Sequence, residues 1–206
     1  MLKKTDKRYS RFRFDAGSVS LHFVATVRHR GSHPRDLLPS PDSLSKWLEL
    51  AGLVATPIRC SADDHREARI LREAIYDTIS AVILGRAPAD EDIDRMNRAA
   101  RFPILIPQLG RGADEVSWEA PDLEKACLGI IARDAIALLG EGTRERLKLC
   151  SGESCRMLYL DTSPGNRRRW CAMSLCGNRM KVAEHRRRRR DGSRREAEDE
   201  PCGQDS

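Results

Sequence analysis

Four of the seven cysteines in this 206-residue chain form two close pairs, Cys150-x4-Cys155 and Cys171-x4-Cys176, with fifteen residues between the pairs. Two cysteine pairs joined by a short loop are how a four-thiolate zinc site is written in sequence: each pair turns back so that both sulfurs face one metal. All four positions are cysteine, so no place is left for a catalytic water, and the expected cofactor is one structural Zn2+ per chain. Disulfides are the alternative chemistry. The basic start (Lys3, Lys4, Lys7, Arg8) is not followed by an apolar stretch, which argues against export and for a reducing compartment. Cys60, Cys127 and Cys202 have no partner at metal spacing, and Cys127, among apolar residues, is expected in the core.

Basic side chains crowd the same segment. Residues 150–195 carry 13 basic and 4 acidic side chains, residues 1–149 carry 24 and 22, and residues 196–206 carry five acids and no base. The chain reads as a near-neutral body, a strongly basic module and an acidic tail. Such a module attracts polyanions, because each neutralised phosphate releases condensed counterions. The candidate nucleic-acid-binding residues are Arg167, Arg168, Arg169, Asn178, Arg179, Lys181, Arg186, Arg187, Arg188, Arg189 and Arg190. A four-thiolate zinc centre is an anion, so Arg168, Arg169 and Arg179 could equally serve to offset its charge. The run Arg186–Arg190 points all round a helix and suits phosphate contact that ignores sequence. Asn178, Lys181, Glu184 and His185 could reach base edges from a helix lying in the major groove. Trp170 is expected to pack rather than to stack on bases.

A module of about forty residues buries too little apolar surface to fold unaided. Structural zinc contributes roughly 10–16 kcal/mol of apparent binding energy in finger peptides. Cys171→Ala is therefore expected to release the metal and unfold the module while sparing the rest. Met157–Leu160 reads as a strand, and Asp161–Asn166 is dense in turn formers and suits the loop of a hairpin. Arg167–Trp170 leads back to the second cysteine pair. Gly177 suits a tight turn whose N–H groups point at sulfur, and Asn178–Arg190, free of Gly and Pro, reads as a helix. The stretch Cys150–Arg190, above all Trp170-Cys171-Ala172-Met173-Ser174-Leu175-Cys176-Gly177-Asn178-Arg179, resembles the CGNR zinc finger, named for the four residues found here at 176–179. The resemblance implies a C-terminal finger that binds DNA.

The body reads as mostly helical. Ser40-Pro41-Asp42 is a helix start, with Leu44, Trp47, Leu48 and Ala51 at helical spacing and Gly52 as its stop. Apolar residues at 68, 71, 75, 79, 82 and 83 mark a long amphipathic helix over 62–84, ended by Gly85. Residues 89–100 and 121–139 predict two more helices, the last buried through Leu123, Cys127, Ile130, Ile131 and Leu138. Pro103–Ile106 and Val116–Trp118 could pair as strands around Gly110–Asp114. Phe12–Asp15 and Val19–Val24 read as a strand hairpin or as a strand running into a helix. From about residue 12 to 143, through Leu21-His22-Phe23-Val24-Ala25-Thr26, the chain is similar to the ABATE domain, described as a stress-induced transcription regulator. That family tends to write Leu-Asp-Phe-Val-Asn-Thr at this point, so His22 and Ala25 depart from it and no ligand-binding residue is carried over.

The expected fold is α+β: a mostly helical N-terminal domain with a small sheet (1–143), a CGNR-type four-cysteine finger of strand hairpin plus Arg-rich helix (144–190), and a disordered acidic tail (191–206). Hydrophobic residues make up 40% and charged residues 33%, and the longest apolar run is Ala135–Leu139, far short of the ~20 residues of a membrane span. No Walker loop, dinucleotide fingerprint, His-Glu-x-x-His or nucleophile elbow is present, so no enzyme is expected; His29, His33 and Asp36 read as a polar loop. The sequence thus predicts a cytoplasmic (in a bacterium, nucleoid-associated), zinc-dependent DNA-binding transcriptional regulator. Its N-terminal domain would sense a signal or form a homodimer. The alternative is an RNA-binding or ribosome-associated protein using the same basic module.

Overall fold

The computed structural model describes residues 12–140 and 142–182. Glu184, His185, Arg186–Arg190, Cys202 and the acidic tail lie outside them. The chain divides into two compact units, Met1–Cys171 and Ala172–Ser206. The fold is α+β, with helices predominating and three separate two-stranded antiparallel sheets among the described residues.

In the first unit, α1 (Val19–Val24) leads into a two-residue pairing of β1 (Val27–Arg28) with β2 (Arg35–Asp36), and α2 (Pro41–Leu50) follows. The strand-like alternation of 19–24 is thus helical. Ser18 accepts from the Leu21 N–H, and the Asp134 carboxylate accepts from the Ser20 N–H at 2.9 Å. Those bonds satisfy donors that a helix start leaves free. α2 begins at the expected Ser40–Pro41 with a reciprocal capping box to Ser43, and Gly52 beyond its end takes a φ of +75°.

Helix α3 (Ala62–Ile83) is the central strut, opened by a Ser61–Asp64 capping box and closed before Gly85, φ +68°. α4 (Asp90–Ala100) and α5 (Leu123–Leu138) pack along it, and between them stands a hairpin of β3 (Ile106–Leu109) and β4 (Val116–Glu119). Leu21, Phe23, Leu44, Trp47, Leu48, Ile75, Ile79, Leu128 and Ile131 form the core. Of the α5 residues expected to be buried, Cys127, Ile131 and Leu138 are, whereas Leu123 and Ile130 are only half-buried.

Several polar side chains are buried with the apolar ones. Arg72, only 2% exposed, forms two 2.8 Å bonds to Asp36 and one to the Thr26 hydroxyl at 3.1 Å. The pair ties α3 to strand β2. It also gives Asp36 a structural role and lowers its pKa: burial works against the charge, but the Arg72 guanidinium outweighs it. His22 accepts from the Gly17 N–H at 3.3 Å and packs edge-on against Phe14, while Ala25 is 1% exposed. Of the two departures from the ABATE pattern, Ala25 is thus buried and His22 half-buried.

Strand β5 (Leu147–Leu149) pairs with β6 (Leu158–Leu160), Leu147 opposite Leu160 and Leu149 opposite Leu158. The strand over 157–160 forms as expected, but its partner precedes the first cysteine pair instead of following the 161–166 turn. The Asp161 carboxylate explains why: it takes the Ser163 N–H at 2.9 Å and the Arg168 N–H at 2.8 Å. These bonds close a loop that leaves 167–170 unpaired as strand. The second unit, as described, is a π-helical turn, Met173–Gly177, running into helix over 178–182.

Candidate metal centre

Each cysteine is delivered by a different local device. Cys150 follows β5, its N–H bonded to the Met157 carbonyl at 2.9 Å; Cys155 closes a tight turn on the Gly152 carbonyl at 2.8 Å. Cys171 ends the 167–170 segment, which is anchored by the Ser151 N–H to the Arg169 carbonyl and by the Tyr159 hydroxyl to the Arg168 carbonyl at 2.7 Å. Cys176 sits in the π-turn. Its N–H and that of Gly177 both reach the Ala172 carbonyl, at 3.1 and 3.2 Å. The Gly177 N–H is therefore spent on the turn rather than on a sulfur. A Cβ at Gly177 would come within 2.3 Å of the Met173 sulfur, the end of an exposed, flexible side chain that can move aside.

The four sulfurs lie within 4.8 Å of one another, Cys150, Cys171 and Cys176 buried and Cys155 half-buried. None is in a disulfide. Cys155 Sγ and Cys171 Sγ are 3.8 Å apart. This is the edge, about 3.8 Å, of a tetrahedron with Zn–S bonds of about 2.3 Å, and far beyond a sulfur–sulfur bond. The residues thus fit one structural zinc, with Cys150, Cys155, Cys171 and Cys176 holding it. Bound there, the metal would supply cross-linking and no open coordination position.

Donors surround the cluster. The Cys171 N–H points at Cys150 Sγ at 3.5 Å. Hydrogen bonds from the Cys155 and Cys171 thiols, and then from backbone N–H groups, pull the Cys150 pKa well below the usual thiol range, against the opposing effect of burial. The most distant contributor in sequence is Arg13. Its Nη1 donates to Cys171 Sγ at 3.3 Å and its fork is held by Asp15 at 2.7 Å. Burial disfavours the Arg13 charge, but the bonds to Asp15 and Cys171 outweigh it and keep the guanidinium cationic. From the sequence Arg168, Arg169 and Arg179 could either offset the charge or contact nucleic acid, and Arg13 is missed because nothing local marks it.

Of those three, Arg168 is half-buried, its Nη2 donating to the Cys171 carbonyl at 2.7 Å and its guanidinium 4.9 Å above the Tyr159 ring. It steadies the ligand loop. Arg169 is exposed and lies 5.2 Å over Trp170, whose Nε1 is buried. Arg167, Asn178, Arg179 and Lys181 are exposed as well.

Among the described residues no helix is long and apolar enough to cross a membrane. Comparison with the curated proteins finds no match. Comparison with protein families finds two. The CGNR zinc finger profile matches residues 146–189, and the ABATE profile, described as “Putative stress-induced transcription regulator”, matches residues 17–142. With more than half its length under the latter profile and the four-sulfur cluster under the former, the chain belongs to the ABATE family and carries a CGNR zinc finger behind that domain.

Proposed function

We propose that this protein is a zinc-dependent, DNA-binding transcriptional regulator without catalytic activity, acting in the cytoplasm or, in a bacterium, on the nucleoid. The observation that carries the reading is the four-sulfur cluster embedded in the most basic segment of the chain. A cross-linked finger presents cations at fixed positions, and fixed cations bind a polyanion at lower entropic cost than a loose tail. Arg167 and Arg169 keep exposed side chains for phosphate contact, as do Arg179 and Lys181 at the start of the C-terminal helix. Arg186–Arg190, beyond the described residues, would extend that contact. Asn178 and Lys181 are the described side chains suited to a base edge. The N-terminal domain would sense a signal or form a homodimer. An RNA-binding role uses the same chemistry and is the second reading.

Selection from a random duplex pool at near-physiological salt tests this, comparing zinc-loaded protein with Cys171→Ala. A motif enriched only with the intact finger is the expected result. Binding without an enriched motif, or stronger capture of structured RNA than of duplex DNA, would move the assignment to the second reading. Deleting 196–206 should raise non-specific affinity at low salt, because the acidic tail competes with phosphate for the arginines.

A further inference from the structure

The N-terminal domain contains one basic segment that neither its core nor the metal centre accounts for. Arg28-His29-Arg30-Gly31-Ser32-His33-Pro34-Arg35 holds three arginines, two histidines and no acid, in a body whose charges otherwise nearly cancel. It runs through the connection between β1 and β2. The Ser32 N–H closes its tip on the carbonyl of His29, which takes a φ of +57°.

This loop is seated on the turn that follows Cys150. Gly31 comes so close that a Cβ there would run into the Glu153 carbonyl and lie 2.7 Å from Arg156 Cγ. Arg30 anchors the loop from behind. Its Nη1 donates to Glu73 at 2.6 Å, and its guanidinium lies 3.9 Å over the Tyr76 ring, whose hydroxyl bonds the Arg156 carbonyl. The same turn is tied through the Ser151 N–H to the Arg169 carbonyl at 2.9 Å. Loop, turn and the segment leading to Cys171 are thus fixed to one another within one compact unit.

What these ties leave outward is cationic. Ser32, His33, Pro34 and Arg35 are exposed, and His29 and Arg156 are half-buried. Among the described residues no carboxylate pairs with Arg35 or Arg156, because the nearby acids are engaged: Asp36 by Arg72 and Arg69, Glu73 by Arg30 and Arg72. Glu153 is exposed on the turn, but Arg35, Arg156 and the exposed Arg169 outnumber it. The β1–β2 ladder also sets Arg35 directly opposite Arg28, a like-charge pairing that an approaching anion relieves. The exposed stretch 32–35 has no large apolar side chain, so a protein partner finds no anchor there; a phosphate backbone needs none.

We propose that the 29–35 loop is a second nucleic-acid contact, in which His33, Arg35 and the adjoining Arg156 hold the phosphate backbone of the same DNA duplex that the finger binds. The inference rests on the regulator reading and extends its interface from the finger onto the N-terminal domain. Donors already fixed beside the metal centre bind with little ordering cost. They orient the duplex without reading its sequence.

Anisotropy titrations of a labelled DNA duplex with the full zinc-loaded chain, repeated across salt concentrations, test this. Arg35→Glu is expected to weaken binding at least ~10-fold at about 0.1 M salt and to make the log–log salt slope shallower by about 1. Its melting temperature and zinc content should be unchanged, because Arg35 is exposed. Arg111→Glu makes the same charge change at an exposed position in the β3–β4 turn and should cost no more than ~3-fold. If the wild type binds and Arg35→Glu binds as tightly, or weakens no more than Arg111→Glu, the inference is overturned and the regulator reading stands. A wild-type chain that binds no duplex at any salt overturns both.

Discussion

Arg13 and Cys171 stand 158 positions apart in the chain and 3.3 Å apart in space. One guanidinium thereby ties the start of the first helical unit to a metal-binding thiol, where a local reading found only nearby arginines. Glu124 makes the same point from the opposite direction. It looks like a first-turn acid at a helix N-terminus, yet it is 4% exposed and faces the Asp64 carboxylate and the Cys60 thiol. Burial first, and then the Asp64 carboxylate facing it from α3, push its pKa from an ordinary 4.5 up to about 8; Asp122 adds to this. The folded pKa lies above the unfolded one, so the stability tied to this group is fully present below about pH 4.5. It is lost as pH rises through about 8. Glu124→Gln cannot ionise, and its amide can donate to Asp64 as the protonated acid does. In thermal scans its advantage over wild type should grow from pH 6 to pH 9 and reach at least ~3 °C, about 1 kcal/mol for a chain of this size. An advantage of the same size at both pH values would rule out ionisation as its source.

At the scale of elements, the β5–β6 hairpin belongs to two structures at once. It carries the first cysteine pair in the connection between its strands, and it packs on the helical body. The Leu160 N–H bonds the Ala16 carbonyl at 2.8 Å, and the Tyr76 hydroxyl bonds the Arg156 carbonyl at 3.1 Å. Gly17 makes the close approach possible. Its φ is +106°, and a Cβ there would lie 2.7 Å from Leu160 Cβ. Gly17→Ala should therefore cost about 2–3 kcal/mol, the backbone strain plus the clash, and speed zinc transfer to a chelator. Gly52→Ala supplies the control, since Gly52 has a φ of +75° and open space around it; it should cost only about 1 kcal/mol. Equal losses, measured by denaturant unfolding, would mean that the Leu160 contact is not tight.

For the whole molecule, this packing changes what losing the metal should do. From the sequence, Cys171→Ala unfolds the finger and spares the body. In the structure the chain through Cys171 is one compact unit, so a ligand that binds the native state supports all of it. Cys171→Ala, or chelation of the wild type, should lower the melting of the helical body by at least ~5 °C. Far-UV circular dichroism followed on heating checks this; an unshifted helical transition would show that the finger is merely appended. A second property of the whole chain is its response to salt. If about six phosphates are neutralised, the log–log slope of duplex affinity against salt should be about −5. A slope near zero in fluorescence anisotropy titrations would mean that the basic segment is idle.

Local chemistry carried much of this protein on the surface of its sequence. α2, α3 and α5 are legible because Ser40, Ser61 and Asp122 cap them and Gly52 and Gly85 stop the first two, all within a few residues of the apolar stripe they bound. The metal centre is legible because its ligands are spaced closely enough for short turns to gather them. Helix α1 was ambiguous, since six residues of alternating apolar character fit either period until Asp134 caps them from α5. Strand β5 was hidden because three residues carry no periodicity, and its place depends on β6. Arg13 at a thiol, the Arg72–Asp36 pair, the neutral carboxyl of Glu124 and the seating of the finger hairpin on the body were decided only in three dimensions. Their energies come from desolvation and from partners distant along the chain, and a sequence does not state either until it has folded.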